Sequence, residues 1–172
     1  PKDVSTLLNH ADDVCLAPLC IGFFAGLRRA EIERLEWKNV KLSSGVIIVR
    51  ADTSKSKRRR TVKISDNLKA WLEPIAKKNG LVIPDCKEWR KSYEKARKAA
   101  GVNWVNNACR HSFVSYHIAM HGDSGVTATQ VGHRNTSVLE EHYKELVEPQ
   151  EAVEYWSIFP PNQNKVTSIK TA

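Results

Sequence analysis

The stretch GVIIVRADTSKSKRRRTVKISDNLKAWL, residues 45–72, changes its period twice within 28 positions. GVIIVR is short and β-branched and reads as a strand. TSKSKRRR is a charged turn, and TVKI alternates outward and inward residues as a second strand does. SDNLKAWL returns to helical spacing, with Leu68, Trp71, Leu72 and Ile75 on one face and Ser65 or Asp66 as the cap. A strand, a basic turn, a strand and a helix therefore lie in succession. Upstream, apolar residues from Val4 to Phe24 predict core-forming helices, with Asn9 or Asp12 as caps and Pro18 near a helix start. RRAEIERLEW follows as an amphipathic helix with Ile32 and Leu35 on its inner face and Arg28 and Arg29 at its N-terminal end. Downstream, EWRKSYEKARKAAG reads as a basic helix stopped by Gly101. ACRHSFVSYHIAM, TATQVGH and SVLEEHYKEL read as three more helices. The expected fold is mainly α with one small antiparallel β-hairpin or three-stranded sheet, an α+β arrangement.

The length, 172 residues with 41% apolar, suits one domain and is short for two. Residues 1–160 are expected to form it, with the polar segment 161–172 as a flexible tail or docking arm. Because the chain starts at Pro1 without an initiator Met, it is expected to be a fragment of a longer protein. Lys and Arg number 27 against 19 acidic residues, a formal charge of +8, which makes a polyanion the first partner to consider. A protein that is basic for no functional reason has the same composition, so motifs must decide. Cys15, Cys20, Cys86 and Cys109 include no CxxC pair and sit in helical contexts, as in a reduced cytoplasmic protein. CLAPLCIGFFAGL, the most apolar run, is too short for a membrane span and ends in two arginines.

Three ordered motifs carry chemistry. GLRRAEIERL (residues 26–35) leads from a Gly-Leu-Arg into a helix with Glu31 three residues after Arg28. NACRHSFVSYH (residues 107–117) sets Arg110 and His111 ahead of an apolar helix. VGHRNTSVLEEHYKEL (residues 131–146) supplies His133 and, ten positions later, Tyr143. Singly each is weak, since an arginine at a helix start is commonly a solvated charge. As an ordered set from Gly26 to Leu146, they resemble the catalytic domain of tyrosine recombinases of the phage-integrase type. In that family the second motif begins with histidine, where this chain has Asn107, and the step from His133 to Tyr143 is one position longer than is common.

The resemblance implies DNA strand cleavage and rejoining through a 3′-phosphotyrosyl intermediate on Tyr143. It assigns Arg28 and Arg110 to the scissile phosphate, with His133 donating to it or positioning Tyr143. Lys55 in the basic turn is the implied general acid, with Lys57 as runner-up. Asn107 can hydrogen-bond a phosphate oxygen but cannot shuttle a proton at neutral pH. Lys57, Arg58, Arg59 and Arg60 are expected to contact the DNA backbone, although such a basic run can equally be a solvated turn. Glu31 is expected to orient Arg28, and His111 to pack or hydrogen-bond inside the domain rather than touch DNA. Tyr93, Tyr116 and Tyr155 fit none of the motifs. The chemistry suits the residues: two forked guanidiniums meet the charge that develops on a phosphodiester under attack, and a tyrosine with a reference pKa of about 10 must give up its proton.

No cofactor, metal or small-molecule substrate is implied, and the chain lacks the clustered acidic residues of a two-metal nuclease. The implied partners are double-stranded DNA and three further copies in a homotetramer on DNA, with EAVEYWSIF (residues 151–159) docking either on a neighbour or on its own domain. The implied location is the nucleoid within the cytoplasm, and the implied source a phage or other mobile element. Two other readings share the residues: a catalytically impaired DNA-binding module of the same fold, and a type IB topoisomerase.

Overall fold

A computed structural model describes residues 1–51, 59–103, 107–133, 136–143 and 147–161. At its centre lies α2 (Leu16–Ala25), and every residue of it from Ala17 to Ala25 is buried. LAPLCIGFFA is apolar on all sides, as a helix with neighbours all round must be. Those neighbours are α1 (Lys2–Asn9), α3 (Arg29–Ile32), α4 (Asp66–Leu72) and α6 (Ala108–His121). Pro18 occupies the first turn of α2, where its missing N–H leaves no helical hydrogen bond unmade. Asp12, one of the two expected caps, holds the turn ahead of α2 through bonds from the backbone N–H of Val14 (3.0 Å) and Cys15 (3.2 Å). Its carboxylate also accepts from Ser92 on α5 (Cys86–Ala100). Asn9 is the last residue of α1 and caps nothing.

The sheet has the order β1 (Val40–Lys41), β2 (Val46–Val49), β3 (Arg60–Lys63), antiparallel throughout. Ile47 pairs with Val62 and Val49 with Arg60. Ile47, Val49 and Val62 are buried on one face, the period-two pattern expected of a half-covered sheet. β3 starts one residue earlier than TVKI suggests, so Arg60 is inside the ladder. α5 ends at Gly101 in the left-handed conformation, as expected. The fold is thus mainly α with a three-stranded antiparallel sheet.

One expected element is cut short. RRAEIERLEW is helical only over α3, four residues, because the chain then pairs with a distant segment. Trp37 N–H donates to Gly80 O (2.9 Å) and Val82 N–H to Leu35 O (2.8 Å), and Leu35 and Trp37 are both buried. Spacing of Ile32 and Leu35 fits a helix, but burying Leu35 and Trp37 together takes an extended backbone.

α7 (Ser124–Val131), α8 (Ser137–Tyr143) and α9 (Pro149–Trp156) complete the order. Two apolar clusters result. The larger takes in α1, α2, the sheet, α4 and α5 with Tyr155 and Ile158. The smaller consists of Phe113, Val114, Ile118, Ala128, Val131 and Leu139, with Tyr143 against it. Trp156 packs on both. α9 lies on its own domain: Tyr155 is fully buried and its hydroxyl donates to Phe23 O (2.6 Å). Trp71 Nε1–H donates to Ile158 O (3.0 Å), tying the segment just after α9 to α4. Among the described residues no helix is long and apolar enough to cross a membrane. Residues 162–172, most of the expected tail, lie outside the described residues.

Candidate active site

Gly26 ends α2 with φ at +63°, and a Cβ there would fall 2.4 Å from the Phe113 ring. The position therefore needs glycine for conformation and for clearance. The turn that follows buries Leu27 and delivers Arg28 to the N-terminus of α3. One turn on, Glu31 is 3% exposed yet carries its charge. Burial alone would raise its pKa, but hydrogen bonds and charge from Arg60, then Arg28, outweigh it and hold the carboxyl below the ordinary range. It accepts from Arg28 N–H (2.9 Å), Arg28 Nη1 (3.3 Å), Arg60 Nη1 (2.9 Å) and Arg60 Nη2 (2.7 Å).

That geometry corrects the expectation for Arg60. Both ends of its fork are filled by Glu31, its Nε–H donates to Gln130 O (3.1 Å), and only 10% of its side chain is exposed. It cross-links β3, α3 and α7 instead of lying free for a DNA phosphate. Gln130 also accepts from Lys63 N–H through Oε1 (2.9 Å), a tie no motif announced. Gly132, again with positive φ, packs so closely that a Cβ would meet Arg60 Cδ at 3.1 Å.

Arg110, in the first turn of α6, donates to Gly26 O (2.6 Å) and Val131 O (2.7 Å), so two chain reversals orient its guanidinium. Burial first, and the nearby Arg28 second, push its pKa down to about 9, still protonated at neutral pH. A buried cation beside another cation gains from an anion that neutralises both. His133 follows Gly132, its N–H closing α7 on Ala128 O (2.9 Å). Burial, then Arg110, Arg28 and Arg60, lower its pKa to about 4, so the imidazole is neutral at pH 7.

Tyr143, the last residue of α8, is partly buried, and burial raises its pKa against an opposing pull from Arg110. Its hydroxyl is hydrogen-bonded to His111 Nδ1, and the two rings stack with centroids 5.7 Å apart and planes 20° apart. His111 is itself exposed. The hydrogen bond expected within the domain is thus made to Tyr143, from the exposed side of α6 rather than from the core. The bare sequence holds no sign of this beyond His111 following Arg110. Asn107 precedes α6 with φ at +61°, and among the described residues it alone has positive φ without being glycine. Asn and His are among the side chains that tolerate this region.

Arg28, Asn107, Arg110, His111, His133 and Tyr143 line one open hollow of about 500 Å³. Tyr155 and Tyr116 stack on each other in the packing between α6 and α9, and Tyr93 stacks on Trp89 elsewhere. Arg59 is exposed just ahead of β3. Lys55, Lys57 and Arg58 lie outside the described residues. Among the described residues no three His, Cys, Asp or Glu side chains group as a metal site. What the hollow offers is two oriented cations, a neutral imidazole, an amide and a phenol beside an imidazole, a set suited to a phosphate and a nucleophile.

No curated protein matches the sequence. Among solved structures, XerA recombinase superposes with a TM-score of 0.68 at 19% identity, covering 88% of this chain and 60% of that one, so the chain spans about three fifths of that protein. The catalytic domain of bacteriophage HP1 integrase superposes with a TM-score of 0.63 at 27% identity, covering 96% of this chain and 95% of that one. The sequence model of the phage integrase family matches residues 1–148, a span that includes every residue of the hollow. By that match, and by the fold and motif order that agree with it, the chain belongs to the phage integrase family, the tyrosine recombinases.

Proposed function

We propose that this chain is the catalytic domain of a site-specific recombinase of a phage or other mobile element, which cleaves and rejoins double-stranded DNA through a 3′-phosphotyrosyl bond to Tyr143. The observation that carries this reading is the convergence of Tyr143, Arg28, Arg110 and His133 on one open hollow. Arg28 and Arg110 bind the non-bridging oxygens of the scissile phosphate, their forks matching the charge that develops during attack. His133, neutral at pH 7, donates one hydrogen bond to the same oxygens, and Asn107 adds a second from its amide. Tyr143 Oη attacks phosphorus, the bond to the 5′ oxygen breaks, and Lys55 protonates that oxygen as it leaves. The phosphodiester energy is kept in the phosphotyrosyl bond, so a free 5′ hydroxyl rejoins without ATP. The guanidiniums supply the charge stabilisation that a metal gives other nucleases, and the reaction is proposed to proceed without metal.

Arg59, with Lys57 and Arg58 from the same basic turn, would grip the DNA backbone. On DNA the protein is proposed to work as a homotetramer at the nucleoid, within a longer chain that adds a DNA-gripping domain.

The test is incubation with a nicked duplex carrying the recombination site. A covalent adduct is expected from the unaltered chain and none from Tyr143→Phe; an adduct that persists in Tyr143→Phe removes the nucleophile assignment. Asn107 favours one second reading, a DNA-binding module that has lost catalysis. Salt-sensitive binding with no adduct on any nicked site would mark it.

A further inference from the structure

We infer that His111 is the catalytic residue that takes the phenolic proton of Tyr143, the task for which Asn107 is chemically unfit. The inference rests on Tyr143 being the nucleophile, as proposed above. An attacking tyrosine must pass its proton to a base within hydrogen-bond reach. Asn107 has an amide, which neither gains nor loses a proton near neutral pH. His133 is partly buried and lies in the field of three arginines, both of which disfavour a further positive charge there. His111 is differently placed. Its Nδ1 is hydrogen-bonded to Tyr143 Oη, and the stacked rings hold that contact in a fixed orientation. The residue is exposed, so the positive charge it gains is stabilised by solvent. It also lines the same hollow as Arg28 and Arg110.

The step balances as follows. The neutral tautomer with hydrogen on Nε2 presents a lone pair at Nδ1 to the phenol. As the Oη–P bond forms, the O–H proton moves to Nδ1, giving an imidazolium; as the P–O5′ bond breaks, Lys55 supplies a proton to the 5′ oxygen. Rejoining reverses both transfers, with the imidazolium returning its proton to the departing phenolate. Tyr143 and His111 thus form a nucleophile and base pair built from α8 and α6, placed one residue after the phosphate-binding Arg110.

The experiment follows single-turnover adduct formation by the full chain on a nicked duplex carrying its recombination site. Two versions of the duplex are used, one with the natural 5′ oxygen and one with a 5′-bridging sulfur, which leaves without needing a proton. His111→Ala is expected to slow adduct formation about 100-fold on both, the lower range for loss of a general base, with DNA affinity unchanged. Lys55→Ala is expected to be slow with oxygen and restored with sulfur. Added imidazole is expected to recover part of the His111→Ala rate, which a positioning role alone does not predict. A His111→Ala rate within threefold of the unaltered chain overturns the inference, and so does recovery on the sulfur substrate, which would place His111 on the leaving-group side. In both of those outcomes the unaltered chain still forms its adduct and the Tyr143 assignment stands. If the unaltered chain forms no adduct on either duplex, the recombinase reading fails and this inference with it.

Discussion

Glu31 is the residue on which the site depends without itself facing the hollow. It is buried and charged, and it receives both Arg28 and Arg60. Removing its charge strands a guanidinium that is 10% exposed, and breaking a buried pair from one side costs about 3 kcal/mol or more. Glu31→Gln is therefore expected to lower the urea midpoint by that equivalent and to slow adduct formation, since Arg28 loses its partner. Its folded pKa lies below the ordinary 4.5, so the stability it contributes is fully present above pH 4.5 and is lost as pH falls through the folded value. In Glu31→Gln that acid-side loss should shrink; an unchanged profile would mean the carboxyl is not the anchor. His133 adds to the same acid-side loss, although there it is the neutral form that folding favours. Its pKa drops from 6.5 to about 4 on folding, so between those values the unfolded chain holds more protons and stability falls as pH falls. His117, also lowered to about 4 by burial and then by His121, adds to the same slope. A phosphate on Arg28 and Arg110 offsets their repulsion, so the His133 NMR titration should move upward from about 4 when DNA binds; a midpoint that stays put argues against a phosphate in the hollow. Arg28, Arg110, His133 and Tyr143 could be picked out because the three ordered motifs carry them, with Gly26 and Gly132 standing just ahead of Arg28 and His133. Arg60 could not, since five basic residues within six positions look alike until β3 and α7 present one of them to a carboxylate 29 positions away. His111 likewise acquires its partner 32 positions away, only when α8 folds against α6.

At the scale of elements, the hollow is shaped by two helix ends that close on glycine. Gly26 and Gly132 both have positive φ, and their neighbours Gly26 O and Val131 O are where Arg110 is tied. Gly122, at the end of α6, has a similar φ of +65° but nothing within 4 Å of its missing Cβ. The two positions separate conformation from clearance. Gly122→Ala should cost about 1 kcal/mol for the left-handed backbone alone. Gly26→Ala adds a collision with the Phe113 ring, and overpacking contributes roughly 1–3 kcal/mol more. Urea midpoints of the two variants should differ accordingly, with Gly26→Ala also losing adduct formation because α6 carries Arg110. Equal midpoints would show that Phe113 yields freely and that the glycine serves its dihedral alone. The same scale shows why the element order could be read but one boundary could not. α5 and the β2–β3 pair have periods that only one structure satisfies, whereas the all-apolar α2 is marked by its length and by Gly26 at its end. Ile32 and Leu35 suit a continuing helix equally well, and what stops it is the pairing of Leu35 and Trp37 with residues 80–82, a contact without local signature. Tertiary pairing overrides local period there.

Over the whole molecule, the two apolar clusters divide the labour of the site. Arg28 and Glu31 stand on α3 against the large cluster, whereas Tyr143 stands on α8 against the small one of six buried residues. A helix held by few buried groups opens at lower free energy than the core it leans on, so Tyr143 sits in the less stable half and Arg28 in the more stable one. Trp156 couples the halves. Its ring lies 6.4 Å from Phe24 in the large cluster and 5.8 Å from Phe113 in the small one, and its Nε1–H donates to Tyr116 O (3.2 Å). Truncating such a side chain costs about 3–5 kcal/mol when the site cannot collapse, and here the loss falls on the interface between clusters. Trp156→Ala is therefore expected to speed amide exchange in α7 and α8 well beyond any change in α2, and to slow adduct formation while the binding of DNA to the basic surface persists. Because Tyr155 remains in the core with its hydroxyl on Phe23 O, the variant should keep α9 folded, which circular dichroism can verify. Exchange that rises equally in α2 and α8 would show a single cooperative unit, and the placement of the tyrosine on a separately yielding half would then have no part in the timing of its attack.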